Sequence, residues 1–166
     1  MAHIDVTVAE RVHAPLHEVF DFVVAEDVLP KILLGYGPVP GVTATSGNTG
    51  PWDVPGSART VHLKGGDTAR EQVTDFRPPS YFAYRVTDFT FVLKHFATQG
   101  RGQWWFTPTE GGTQVKWTYT FTARSAFTQP VLAVFARLLW RGYMRVGMRE
   151  TKAQLEARRA AVVQAA

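Results

Sequence analysis

The segment from Thr128 to about Arg159 constrains this fold most. Pro130 stands near its start and no proline follows, so nothing in it interrupts a helix. Apolar residues recur at helical spacing: Val131, Phe135, Leu138, Leu139, Gly142, Val146 and Leu155. Everything between Val42 and Phe121 reads as strands. One long helix and a run of strands predict an α+β domain. In it, a curved antiparallel sheet wraps the helix and leaves a pocket between them.

A chain of 166 residues is one domain, expected to span residues 1–166 with an Ala-rich tail, 160–166, that frays. No cysteine is present. That excludes a disulfide framework, a thiolate metal site and a cysteine nucleophile, and it fits the cytoplasm. The first ten residues carry Asp5 and Glu10 and lack the apolar run of a signal peptide. No apolar stretch reaches the length of a membrane span, so the expectation is a soluble protein. A net charge of +4 is too modest to imply nucleic acid by itself.

Taken in order, residues 3–13 alternate as a half-buried strand, with Ile4, Val6, Val8 and Val12 on one side. Pro15 opens a short helix ending near Ala25. Asp27 is placed to cap a second, Val28 to Leu34. Six strands follow: 42–46, 57–64, 68–76, 81–88, 98–107 and 113–123, joined mostly by tight Gly- or Pro-containing turns. Short connections of this kind imply an antiparallel meander.

The order is strand, two short helices, six strands, long helix. With it come VHAPLHEVFDFV at 12–23, GSARTVHLKGGDTAREQVTDFRPPSYFAYRV at 56–86 and EGGTQVKWTYTF at 110–121. Together these resemble the START-like helix-grip superfamily, specifically its polyketide cyclase/dehydrase and lipid-transport group. The resemblance covers essentially the whole chain. It implies a seven-stranded antiparallel sheet around the C-terminal helix and an apolar cavity between them that binds hydrophobic small molecules. Fold alone does not fix the activity.

Strand parity supplies lining candidates: Tyr84, Trp104, Trp117 and Tyr119 from the sheet, and Phe135, Leu139, Gly142, Tyr143 and Val146 from the helix. Each aromatic either fills core or lines the cavity; a buried tyrosine or tryptophan also needs a partner for its polar end. Arg59 and Glu71 are the charged candidates. A buried Glu71 needs a cation, and Arg59 or Arg85 would supply it; the alternative is a solvent-facing ion pair. Gly142 either admits a close neighbour or leaves room for ligand.

In the aromatase/cyclase branch that the resemblance brings in, a cavity tyrosine, serine and arginine are proposed to promote aldol closure and dehydration. Tyr36 matches the tyrosine, and Thr74 stands where the serine would be. Phe76 occupies the arginine position, so the cation is missing there. Tyr36, Thr74 and Arg59 are therefore the catalytic candidates of an alternative reading. His13 and His17 straddle a strand-to-helix junction with no third ligand at motif spacing, so neither a metal site nor a cofactor is expected.

Two stretches concern partners. Residues 89–96, FTFVLKHF, are too apolar for an ordinary loop and form either a lid over the pocket or an extension of two strands. Arg137, Arg141, Arg145 and Arg149 make a stripe on the long helix: a solvated face, or a transient contact with a membrane surface or an acidic partner. No nucleic-acid motif stands out, and nothing fixes the oligomeric state. The leading expectation is a carrier or sensor of a lipid, a quinone or a polyketide-like aromatic. A cyclase-type dehydratase and a ligand-free protein-interaction module are the alternatives.

Overall fold

A computed structural model describes residues 2–166. The chain runs β1 (His3–Val12), α1 (Leu16–Val24), α2 (Leu29–Ile32), β2 (Gly35–Tyr36), β3 (Val39–Pro40), β4 (Val42–Ser46), β5 (Ala58–Leu63), β6 (Thr68–Arg77), β7 (Tyr81–Thr87), a 3-10 turn (Val92–His95), β8 (Ala97–Thr109) and β9 (Gly112–Ala123). The long helix follows as α3 (Gln129–Phe135), a π-helical turn (Ala136–Trp140) and α4 (Arg141–Ala165). Seven strands form one sheet in the order β1-β9-β8-β7-β6-β5-β4, every neighbouring pair antiparallel. This is the helix-grip arrangement.

Alternation sorts the strands. Ile4, Val6, Val8 and Val12 of β1 are buried, as are Val115, Trp117, Tyr119 and Phe121 of β9. Trp104 pairs with Trp117 across the sheet, and their rings stack 4.5 Å apart. Gly102 pairs with both Tyr84 and Tyr119. A β-carbon at residue 102 would collide with the Tyr84 ring, and one at residue 100 with the Tyr119 ring. Two glycines in β8 thus let two tyrosines lie over the sheet. Register shifts at 42/44, 73/75 and 97/99 mark bulges, where strands bend.

The first half of the long helix packs through a different face from the expected one, while Tyr143 and Leu155 are buried as expected. Leu132, Ala136, Trp140, Tyr143, Met144, Met148, Thr151 and Leu155 are buried, whereas Val131 and Leu138 are exposed. Residues 131–139 are apolar on nearly every side, so periodicity cannot fix the phase there. The π turn then adds a residue to one turn and shifts the phase again, the Arg141 N–H reaching the Ala136 carbonyl.

Other departures are local. Asp27 does not cap α2; Val28 holds that position, and Asp27 instead pairs with Lys31 at 2.5 Å. Residues 35–40 make the small β2–β3 hairpin rather than a simple stop. The tail expected to fray continues α4 to Ala165, with every side chain exposed from Ala160 onward. Residues 89–96 extend neither strand. Asp88 turns the chain with φ 54°, and Phe89, together with Leu93 of the 3-10 turn, is buried.

Candidate functional site

Between the sheet and the helices lies a cavity of about 60 Å³. Its wall is almost wholly apolar: Val61, Leu63, Ala69 and Val86 from β5–β7, Leu29 and Leu33 from the α2 region, Val39, Pro40 and Val42 beside the hairpin, Phe89 and Phe91 below the 3-10 turn. The polar ends belong to Glu71, Tyr84, Trp117, Tyr119, Trp140 and Tyr143. A smaller space of about 20 Å³ lies toward α1, lined by Trp52, Arg59, Phe82 and Trp104 among others. Leu29, Leu33, Glu71, Tyr84 and Trp117 border both, so these five side chains form the partition between them.

Size sets a condition on binding. A dry cavity of about 150 Å³ holds benzene, and pockets for drug-sized ligands start near about 300 Å³. The larger space here is well below both values. Any lipid, quinone or fused aromatic would have to displace side chains to fit.

Burial governs the polar set. The Nε of Arg59 donates to Oε2 of Glu71 at 2.8 Å, and Nη1 donates to the Glu26 carbonyl at 2.8 Å. The guanidinium lies 3.7 Å from the centre of the Trp52 ring, which the Gly-rich loop before β5 folds under it. The solvent-facing alternative for this ion pair is thus excluded: both side chains are almost fully buried. Arg85 instead donates to Gln72. Burial pushes the Glu71 carboxyl above its ordinary range, opposed by the Arg59 charge and hydrogen bond. Burial also raises the Tyr84, Tyr119 and Tyr143 hydroxyls, and the Glu71 charge adds to it in each. All three are neutral donors at physiological pH.

Two indoles stand out. Trp117 and Trp140 line the cavity, and among the described residues neither Nε1–H meets an acceptor in hydrogen-bond geometry, although the Tyr84 hydroxyl lies close to Trp117. A buried donor without a partner is uncommon. Trp140 sits at the end of the π turn and packs 4.9 Å from both the Tyr119 and Tyr143 rings.

The other expected residues lie elsewhere. Tyr36 is exposed on the hairpin, its ring laid over Gly142 where a β-carbon would collide. That resolves Gly142 as a site of close approach, not room for ligand. Thr74 sits in the β6 bulge and does not border the cavity; its Oγ1 is buried without a partner. Phe135 packs on Phe121 and Trp140, and Leu139 lies beside Gly37. Neither borders the cavity. Phe76, at the position of the absent arginine, packs on Phe20 and Phe82. Trp140 was not among the expected lining residues. A tryptophan amid arginines was the available signal, but the helix phase hid its direction.

Residues 3–156 match the family described as polyketide cyclase/dehydrase and lipid transport. The chain belongs to that family. No curated protein matches the sequence. Among solved structures, the chain is similar to the di-domain ARO/CYC StfQ from the steffimycin biosynthetic pathway, with a TM-score of 0.72 and 18% identity. That match covers 95% of this chain and 52% of StfQ. It is also similar to ginseng major latex-like protein 151 from Panax ginseng, with a TM-score of 0.70, 8% identity and coverage of 93% and 98%. A third is protein MLL2253 from Mesorhizobium loti, with a TM-score of 0.69, 13% identity and coverage of 93% and 97%. At these identities the likeness is one of fold. Among the described residues, no helix is long and apolar enough to cross a membrane.

Proposed function

We propose that this chain is a carrier or sensor for an apolar small molecule bearing hydrogen-bond-accepting oxygens, held between the sheet and the long helix. The observation that carries this reading is the pair of unpartnered indole donors, Trp117 and Trp140, in an otherwise apolar wall. An indole N–H can only donate, so its complement is an acceptor such as a carbonyl. The neutral hydroxyls of Tyr84, Tyr119 and Tyr143 add donors around the same space. A quinone or a polyketide-like aromatic carries such oxygens on a flat apolar frame and suits these walls better than a simple alkyl chain. The family, and the ARO/CYC protein among its structural neighbours, support the same class. Titration with a panel of quinones and hydroxylated fused aromatics, followed by tryptophan fluorescence, tests it. Saturable quenching is expected, and it should be weaker for matched hydrocarbons without oxygens. Equal response to both series would refute the donor-based reading.

A second reading, a cyclase/dehydratase-type enzyme, is favoured by one feature. Glu71 is a buried carboxyl whose proton affinity is raised, at the border of both cavities. Such a group is suited to proton transfer to or from a bound carbonyl compound. In this reading Glu71 and the three tyrosines take the roles first considered for Tyr36 and Thr74. Glu71→Gln should then abolish turnover of a poly-ketone substrate while leaving its binding within a few-fold of the parent.

A further inference from the structure

Four large apolar side chains stand exposed around the start of the long helix, Phe127 in the turn just before it. Phe127 is 94% exposed, Val131 51%, Val134 59% and Leu138 67%. Val131 and Val134, three apart in α3, share a face, and Leu138 follows four residues on in the π turn; Phe127 precedes the helix in the 124–128 turn. Arg137 follows Val134 by three positions and Arg141 follows Leu138 by three, so both cations flank the apolar stripe. Arg137, Arg141, Arg145 and Arg149 are all exposed, and none makes an ion pair among the described residues. No Asp or Glu occurs between Glu110 and Glu150.

The stripe is held at the cavity's cover. Arg124 N–H and Thr128 Oγ1 both donate to the Phe96 carbonyl, at 2.8 and 3.2 Å. That ties the 124–128 turn to the end of the 89–96 segment, where Val92 is 58% exposed and Phe91 lines the cavity. Arg124 also donates to the Lys94 carbonyl.

We propose that this face docks on an anionic lipid surface, with the apolar stripe entering the acyl boundary and Arg137 and Arg141 meeting headgroup phosphates. An amphipathic helix with cations beside its apolar side chains is the chemistry of interfacial binding. A second copy of the chain fits poorly, since a two-fold contact through this stripe brings its arginines against one another. Docking in this orientation sets the 89–96 cover against the bilayer. The docking does not depend on what the cavity holds.

Vesicle flotation of the full chain tests it, using phosphatidylcholine with and without phosphatidylglycerol. The parent should float with the anionic vesicles, weakly with the neutral ones, and less at high salt. Arg137→Gln with Arg141→Gln should weaken anionic binding about fivefold per charge removed. Phe127→Ser with Leu138→Ser should weaken it about tenfold. All four positions are exposed, so the thermal melt of each variant should match the parent. A parent that does not float with anionic vesicles overturns the proposal, as does undiminished binding of the arginine variant. Self-association, or capture of an acidic protein, without vesicle binding would assign the face to that partner and overturn it equally. An empty cavity leaves these readouts unchanged, so the two proposals fail separately.

Discussion

Arg59 and Glu71 face each other across β5 and β6, joined Nε to Oε2 at 2.8 Å in the floor of the interior. Glu71 borders both cavities while Arg59 is backed by Trp52 and by the Glu26 carbonyl. The arginine is thus fixed on three sides and borders only the smaller space, whereas the carboxyl also reaches the larger cavity.

Removing one partner should cost more than removing both. Arg59→Ala leaves a buried carboxylate unpaired and should lose about 3–5 kcal/mol in urea denaturation. Arg59→Met combined with Glu71→Leu should recover most of that loss. Equal destabilisation by the single and double variants would mean that packing of Arg59 on Trp52, not the ion pair, dominates.

Gly102 should couple to Tyr84. A β-carbon at 102 meets the Tyr84 ring, so Gly102→Ala should destabilise by about 1–3 kcal/mol. Tyr84→Leu in the same chain should relieve much of it, giving a coupling of about 1 kcal/mol or more in a double-mutant cycle. Strict additivity would show that the ring moves aside freely.

The three cavity tyrosines should resist alkali. Burial raises Tyr84, Tyr119 and Tyr143, so the folded state holds protons that the unfolded chain releases near pH ~10. Their contribution to stability is fully present below that pH and is lost as pH rises beyond it. In an ultraviolet titration, their tyrosinate absorbance should appear together with loss of the folded signal. Ionisation of all five tyrosines while the fold persists would contradict this.

The indole N–H groups should matter for binding more than for stability. Trp140→Phe removes a donor that has no partner, so stability should change by less than about 1.5 kcal/mol. Affinity for an oxygenated aromatic should fall about fivefold, with little change for its hydrocarbon analogue.

Much of this was legible in the chain. The clean alternation in β1 and β9 fixed both faces, and the Gly- and Pro-rich turns fixed the meander. Those signals also made Glu71, Tyr84, Trp117 and Tyr119 candidates for the inner face, with the direction of Glu71 left open. The first half of the long helix departs from the expected phase because residues 131–139 are apolar on nearly every side and a π turn follows. That error removed Trp140 from view and counted Val131 and Leu138 as core. Tyr36 was misplaced for a different reason: a two-residue hairpin leaves almost no periodicity to read. The Trp52–Arg59 stack joins a loop to a strand, a contact that no local pattern encodes.

The most direct measurement is native mass spectrometry of the chain purified from its own host, beside Ala69→Leu, which grows a side chain into the larger cavity. The parent should carry a discrete small-molecule adduct, released on denaturation and identifiable by its mass. A folded Ala69→Leu protein, checked by its melt, should carry much less. A parent that remains at its bare mass there and binds none of the oxygenated panel, or an adduct undiminished in the folded variant, would contradict a ligand held between sheet and helix.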